Sequence, residues 1–108
     1  MERVRTKNQI KKIVKQYVKE LQNAEYPFSA VYLFGSYANG IPHKWSDIDV
    51  AVVSNRLERR RNANEDLLWY IRRRVDSMIE PIGFTPGDFQ DECDPMVQEI
   101  KRTGIRIV

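Results

Sequence analysis

LFGSYANGIPHKWSDIDVAVV, Leu33 to Val53, is the stretch whose reading decides the fold. An apolar, β-prone run from Val31 to Phe34 stops at Gly35-Ser36. A second run opens at Ser46 and reads Asp47-Ile48-Asp49-Val50-Ala51-Val52-Val53-Ser54. Ten residues separate Ser36 from Asp47. The first run predicts a strand ending in a turn that leads into a short helix or loop. Glycine there lets a ligand approach the backbone. N–H groups at a helix start, with the serine hydroxyl, hold phosphate oxygens. Gly-Ser is also a common turn and says little alone. The second run predicts a strand whose side chains alternate between faces. Asp47 and Asp49 then share a face, about 6.5–7 Å apart. Ile48, Val50 and Val52 share the other. Ala51 and Val53 continue the acidic face as apolar, so this strand enters a core on both sides. The loop Asn39-Gly40-Ile41-Pro42-His43 is short enough to return the chain antiparallel, bringing Ser36 near Asp47.

Two carboxylates on one strand face repel each other and lose solvation. A sequence shaped by stability alone avoids them. A divalent cation removes the conflict, and hard oxygen ligands at this spacing suit Mg²⁺, which also takes phosphate oxygens as ligands. A solvated pair at a strand start is the plainer meaning of Asp-x-Asp. Gly-Ser ten residues upstream turns the balance toward a nucleotide site.

Gly35-Ser36, ten residues, then Asp47-x-Asp49 resembles the signature of the polymerase-beta-type nucleotidyltransferase superfamily. The short chain resembles its minimal, MNT-type members. The motif covers Gly35 to Asp49, and the element order extends the likeness to nearly the whole chain. The resemblance implies a third carboxylate on a strand beside the Asp pair. Asp76 to Ile82 reads DSMIEPI. As a strand it places Met78, Glu80 and Ile82 on one face. Glu80 matches the third position best, and Asp76, of the same parity, is second. A glutamate there departs from the all-aspartate pattern of the wider superfamily, and a surface Glu at a strand end is the bland alternative.

The implied chemistry is two-ion nucleotidyl transfer. Asp47, Asp49 and Glu80 surround two Mg²⁺ ions about 3.5–4 Å apart, and Gly35 and Ser36 orient the phosphates of ATP. Minimal members of the family pair with a HEPN-domain toxin RNase as its antitoxin, and some transfer AMP from ATP to a toxin tyrosine. The expected function is therefore Mg-dependent transfer of AMP to a hydroxyl of a partner protein. Two other readings stand beside it: a catalytically weak subunit that neutralises its partner by masking, and a transferase subunit acting on RNA or a small molecule.

With 108 residues the chain has room for one domain over residues 1–108, which the resemblance implies is a nucleotidyltransferase domain; the net charge is +3 and there is one cysteine. It lacks a long apolar run, so no membrane span is expected. MERVRTKNQIKK lacks an apolar signal core, which points to a cytoplasmic protein. Cys93, alone, makes no intramolecular disulfide. The mild positive charge permits ATP, nucleic acid or an acidic protein as partner and requires none.

Thr6 and Gln9 form a capping-box pattern before a helix over Lys7 to Asn23, with Lys11, Lys12, Lys15 and Lys19 on its solvated face. His43 is read as an exposed loop residue and Trp45 as a packing residue, although an imidazole can titrate on substrate and an indole can stack on adenine. A second helix is expected from Asn62 to Val75, striped by Leu67, Ile71 and Val75. Arg59-Arg60-Arg61 and Arg72-Arg73-Arg74 resemble an RNA-binding or acid-binding surface. No aromatic residue interleaves with the first triplet, which counts against direct nucleic-acid binding. Pro81 should end its strand or leave it exposed. Thr85 to Phe89 reads as a helical turn. Asp94-Pro95 opens a last helix over Met96 to Arg102, closed by Gly104. Ile105 to Val108 is a short edge strand. The order predicts an α/β (α+β) fold: a mixed sheet of about four strands with helices packed on it.

Overall fold

The computed structural model describes residues 5–42 and 46–108. His43 and Trp45 lie outside the described residues. The elements are α1 (Lys7–Asn23), β1 (Ala30–Phe34), α2 (Ser36–Asn39), β2 (Ile48–Val53), α3 (Arg61–Ile71), β3 (Ile79–Phe84), α4 (Pro95–Thr103) and β4 (Ile105–Arg106). Single 3₁₀ turns cover Asn55–Glu58, Arg72–Arg74 and Asp88–Gln90.

Local chemistry starts α1 where the sequence predicts. The Gln9 N–H donates to the Thr6 hydroxyl at 3.1 Å, and the Thr6 N–H donates to the Gln9 side chain at 2.7 Å. Asp94 caps α4 in the same manner, accepting from the Met96 and Val97 N–H groups, with Pro95 at the first helical position. Gly35 bends the chain out of β1 with φ 77° and ψ −151°, a conformation open essentially to glycine alone.

The sheet order is β3-β2-β1-β4. β1 runs antiparallel to β2 and to β4, and β2 runs parallel to β3. The antiparallel pair follows from the short loop after α2. The parallel pair follows from α3, a crossover between β2 and β3. Val31, Leu33, Ile48, Val50, Val52 and Ile79 lie under Ile10, Val14, Tyr17 and Leu21 of α1 and Leu68 and Ile71 of α3. On the opposite face Ala30, Ala51, Val53 and Phe84 meet Phe89 and Val97 and Ile100 of α4. β2 is thus covered on both sides, as its alternation requires. The Tyr17 hydroxyl donates to the Leu68 carbonyl at 2.9 Å, fastening α1 to α3.

Several boundaries differ from expectation, among them the start of β3, at Ile79 rather than Asp76. β2 begins at Ile48, so Asp47 stands one residue before the strand. α3 ends at Ile71 and tightens into a 3₁₀ turn before Val75. β4 is two residues long, although the Ile107 N–H still donates to the Val31 carbonyl at 2.8 Å. Of the two expectations for Pro81, β3 does not end there but continues to Phe84 as an edge strand of the sheet. Proline fits there because β3 is an edge strand, where a missing outward N–H costs no ladder bond. The neighbouring outward groups are occupied by side chains. Arg72 donates to the Ile79 carbonyl at 3.3 Å, Arg61 donates to the Gly83 carbonyl at 3.0 Å, and the Gly83 N–H donates to Glu65 at 3.1 Å. Two arginines that resembled a binding surface in the sequence therefore stopper a sheet edge.

Among the described residues, no helix is long and apolar enough to cross a membrane.

Candidate functional site

Strand register builds the site around Asp49. Phe34, the last residue of β1, is paired with Asp49, so the Gly35 turn lies against the carboxylate. A Cβ placed on Gly35 would sit 2.1 Å from Asp49 Oδ2. Only glycine leaves room there. On the other side of β2, Asp49 stands directly beside Glu80 of β3. Asp49 is half-buried, whereas Asp47 and Glu80 are exposed.

Burial raises the Asp49 carboxyl from its ordinary 3.8 to about 6. The negative charges of Glu80 and Asp47 push the same way, as does hydrogen bonding to Glu80, with a smaller push from Glu99. The three acids singled out in the sequence therefore act on a common space. Asp76 does not share it. Its carboxylate pairs with Arg5 at 2.6 Å and accepts from the Met78 N–H at 2.8 Å, serving the turn that starts β3.

The Gly35 carbonyl accepts from the Ala38 and Asn39 N–H groups at 3.0 Å, which closes the short α2. No side chain caps its front. The first-turn N–H groups of Ser36 and Tyr37 have no intrahelical acceptor. The Lys7 ammonium reaches the Ala38 carbonyl at 3.4 Å and sets a positive charge at the far end of α2.

Among the described residues, no three Asp, Glu, His or Cys side chains gather tightly enough to enclose a metal ion unaided. The residues nonetheless fit magnesium. Their donors are hard carboxylate oxygens, Glu80 and Asp47 both act on Asp49 with like charge, and the bare Gly35 backbone keeps the space beside Asp49 Oδ2 clear. Mg²⁺ takes one or two protein carboxylates and completes its octahedron with water and substrate phosphates.

A hollow of about 430 Å³ opens beside Asp49 and Glu80. Its other walls are Phe34, Glu65, Trp69, Pro81, Ile82 and Met96. Trp69 is a residue that sequence reasoning missed, having weighed only Trp45 as a stacking indole. The available signal was its place on α3. It follows Leu68 and lies off the buried Leu68–Ile71 stripe, with Glu65 one turn earlier on the same side. Arg72 stacks over its ring at 4.8 Å. A larger hollow of about 730 Å³, lined by Arg56, Arg59 and Arg60, does not touch the acids. Within it Arg56 is engaged by Asn64 at 2.9 Å and stacks over Tyr26.

Comparison with known proteins agrees with this architecture. A family model described as a nucleotidyltransferase domain matches residues 7–103. A protein of Methanocaldococcus jannaschii, provisionally named a protein adenylyltransferase, is 40% identical over 50 residues. The match covers 46% of this chain and 57% of that protein, so the chain spans little more than half the length of this relative. Among solved structures, a provisionally named nucleotidyltransferase from Sulfolobus solfataricus aligns with a TM-score of 0.62 and 21% identity, over 93% of this chain and 78% of that one. A mutant of the toxin–antitoxin MntA-HpeT aligns with a TM-score of 0.58 and 19% identity, over 87% of this chain and 71% of that one. At these identities the two structures speak for the fold.

Proposed function

The chain belongs to the nucleotidyltransferase domain family, and from that premise we propose that it transfers AMP from ATP to a hydroxyl of a partner protein, as the antitoxin of a HEPN-domain toxin. The observation that carries the proposal is Asp49, set between the Gly35 turn and Glu80 with Asp47 beside it. The name of the M. jannaschii relative supports protein adenylylation, and the toxin–antitoxin neighbour supports the choice of partner.

In this mechanism Asp47 and Asp49 hold magnesium, and Glu80 completes the acid set. Magnesium bound by these acids would neutralise phosphate charge and lower the pKa of the attacking hydroxyl. Gly35 and Ser36 orient the triphosphate with backbone N–H groups and the serine hydroxyl. The acceptor oxygen bonds to the α-phosphorus, the bond from that phosphorus to the bridging oxygen breaks, and pyrophosphate departs. Glu80 receives the hydroxyl proton. The chain contributes positioning and charge, which suffice for this reaction class.

A second reading, in which the chain neutralises its partner by masking, needs no metal at these acids. α-Labelled ATP, MgCl₂ and the product of the neighbouring gene separate the two. Label on that protein, absent with Asp47→Ala and with Asp49→Ala, supports transfer. Inhibition of the partner that survives both substitutions supports masking. Label found only on RNA or a small molecule overturns both.

A further inference from the structure

We infer that the hollow beside Glu80 admits the acceptor, that it selects a hydroxyl on a protein segment free of acidic and phosphate groups, and that Trp69 determines this specificity. The inference rests on the transfer reading above and adds where the acceptor enters and what it must look like.

Position comes first. The phosphate-holding turn joins Asp49 from β1, while Glu80 flanks it from β3. The hollow runs from Phe34 at the end of β1 past Asp49 to Glu80, Pro81 and Ile82 of β3. Glu80, which takes the acceptor's proton in the transfer reading, lines this hollow, and an acceptor hydroxyl seated there lies beside it.

The walls state the chemistry. Among the described residues, every charged side chain that lines the hollow is acidic, and the guanidinium of Arg72 is stacked on the Trp69 ring rather than forming part of the wall. Glu65 keeps that character even when Asp49 is engaged with a cation, and it is held in place by the Gly83 N–H at 3.1 Å. A phosphodiester or an acidic segment entering here meets like charge and is disfavoured. The remaining surface is apolar. Trp69 and Met96 leave 38% and 40% of their surface to solvent, so both are open to an incoming segment. Arg72, anchored to the carbonyls of Ser77 and Ile79, stacks on Trp69 and presets the indole. Preset tryptophan is a common anchor of protein recognition.

The test uses the full chain with α-labelled ATP, MgCl₂ and two kinds of acceptor. One is the neighbouring gene's product. The other is a panel of peptides carrying one Ser, Thr or Tyr flanked by Lys or by Glu, with an oligoribonucleotide bearing a free 3′-hydroxyl. Lys-flanked peptides should be labelled about tenfold more than Glu-flanked ones, and Glu65→Gln, which keeps the bond to Gly83, should narrow that ratio. Trp69→Ala should raise the acceptor KM about tenfold or more while the ATP KM stays unchanged, and Trp69→Phe should recover most of the loss. Equal labelling of Glu-flanked peptides or of the oligoribonucleotide overturns the inference. So does an effect of Trp69→Ala on the ATP KM. If the neighbouring protein is labelled but neither substitution alters its KM, the inference falls and the transfer reading stands. Absence of label on every acceptor brings down both.

Discussion

Asp49 is a liability to the fold that carries it. Its carboxyl is raised to about 6 by burial and by neighbouring acids. Between the ordinary value of 3.8 and that raised value, the folded chain keeps a proton that the unfolded chain has released. Stability therefore falls as pH rises through this window. Asp49→Asn should stabilise the cation-free protein at pH 7 by about 1 kcal/mol, allowing for screening of a half-exposed group, and should change little below pH 4. Denaturant melts in EDTA read this directly, and an Asn variant weaker than wild type at pH 7 contradicts it. Magnesium with ATP should raise the melting temperature of the wild type but not of Asp49→Asn. Gly35 is the complementary case. Alanine there meets both the positive φ and the Asp49 oxygen. Gly35→Ala should cost about 2–4 kcal/mol and abolish transfer, checked by urea unfolding beside the labelling assay.

At the scale of elements, what could be read in the sequence was what is determined locally. The capping box of α1, the Asp94-Pro95 start of α4 and the alternation of β2 all depend on residues within a turn or two of each other. What could not be read depends on neighbours distant in the chain. Pro81 left two outcomes open, a strand end or an exposed strand, and only the strand order, which puts β3 at an edge, decides between them. Arg61 and Arg72 looked like a binding surface because no local rule announces that they seal β3. Arg61 also pairs with Asp88 at 2.7 Å and holds that carboxyl below its ordinary value, with help from the Thr85 N–H. The pair supports the fold above the unfolded pKa of Asp88, and that support is lost as pH falls through the lowered folded value. Both side chains are well exposed, so Arg61→Ala should cost only about 1 kcal/mol at neutral pH, mostly through the carbonyl of Gly83. Its penalty should shrink in acid, which melts at pH 7 and pH 3 would compare.

Across the whole molecule, the site is a product of topology. Asp49 and Glu80 are far apart in the chain and adjacent only because α3 returns β3 parallel to β2 in one register. Parity in the sequence left Glu80 and Asp76 as candidates, and register brings Glu80 alone beside Asp49. Trp69 arrives the same way, carried past the edge of β3 by α3. The fastening of α1 to α3 should matter accordingly. Tyr17→Phe deletes a buried hydrogen bond to Leu68 without opening a cavity, and should cost about 1 kcal/mol by denaturant melts. If the hollow depends on α3, the same change should weaken acceptor use more than ATP use.

The rim along β3 offers few free rungs among the described residues. Proline supplies no hydrogen at its middle, and two arginines and a glutamate occupy groups on either side. Main-chain zippering with another polypeptide is hindered at that border, and with it one common route to polymerisation at high concentration. Whatever the protein greets there it must recognise mainly through side chains, which evolution can exchange one at a time without unpicking the sheet.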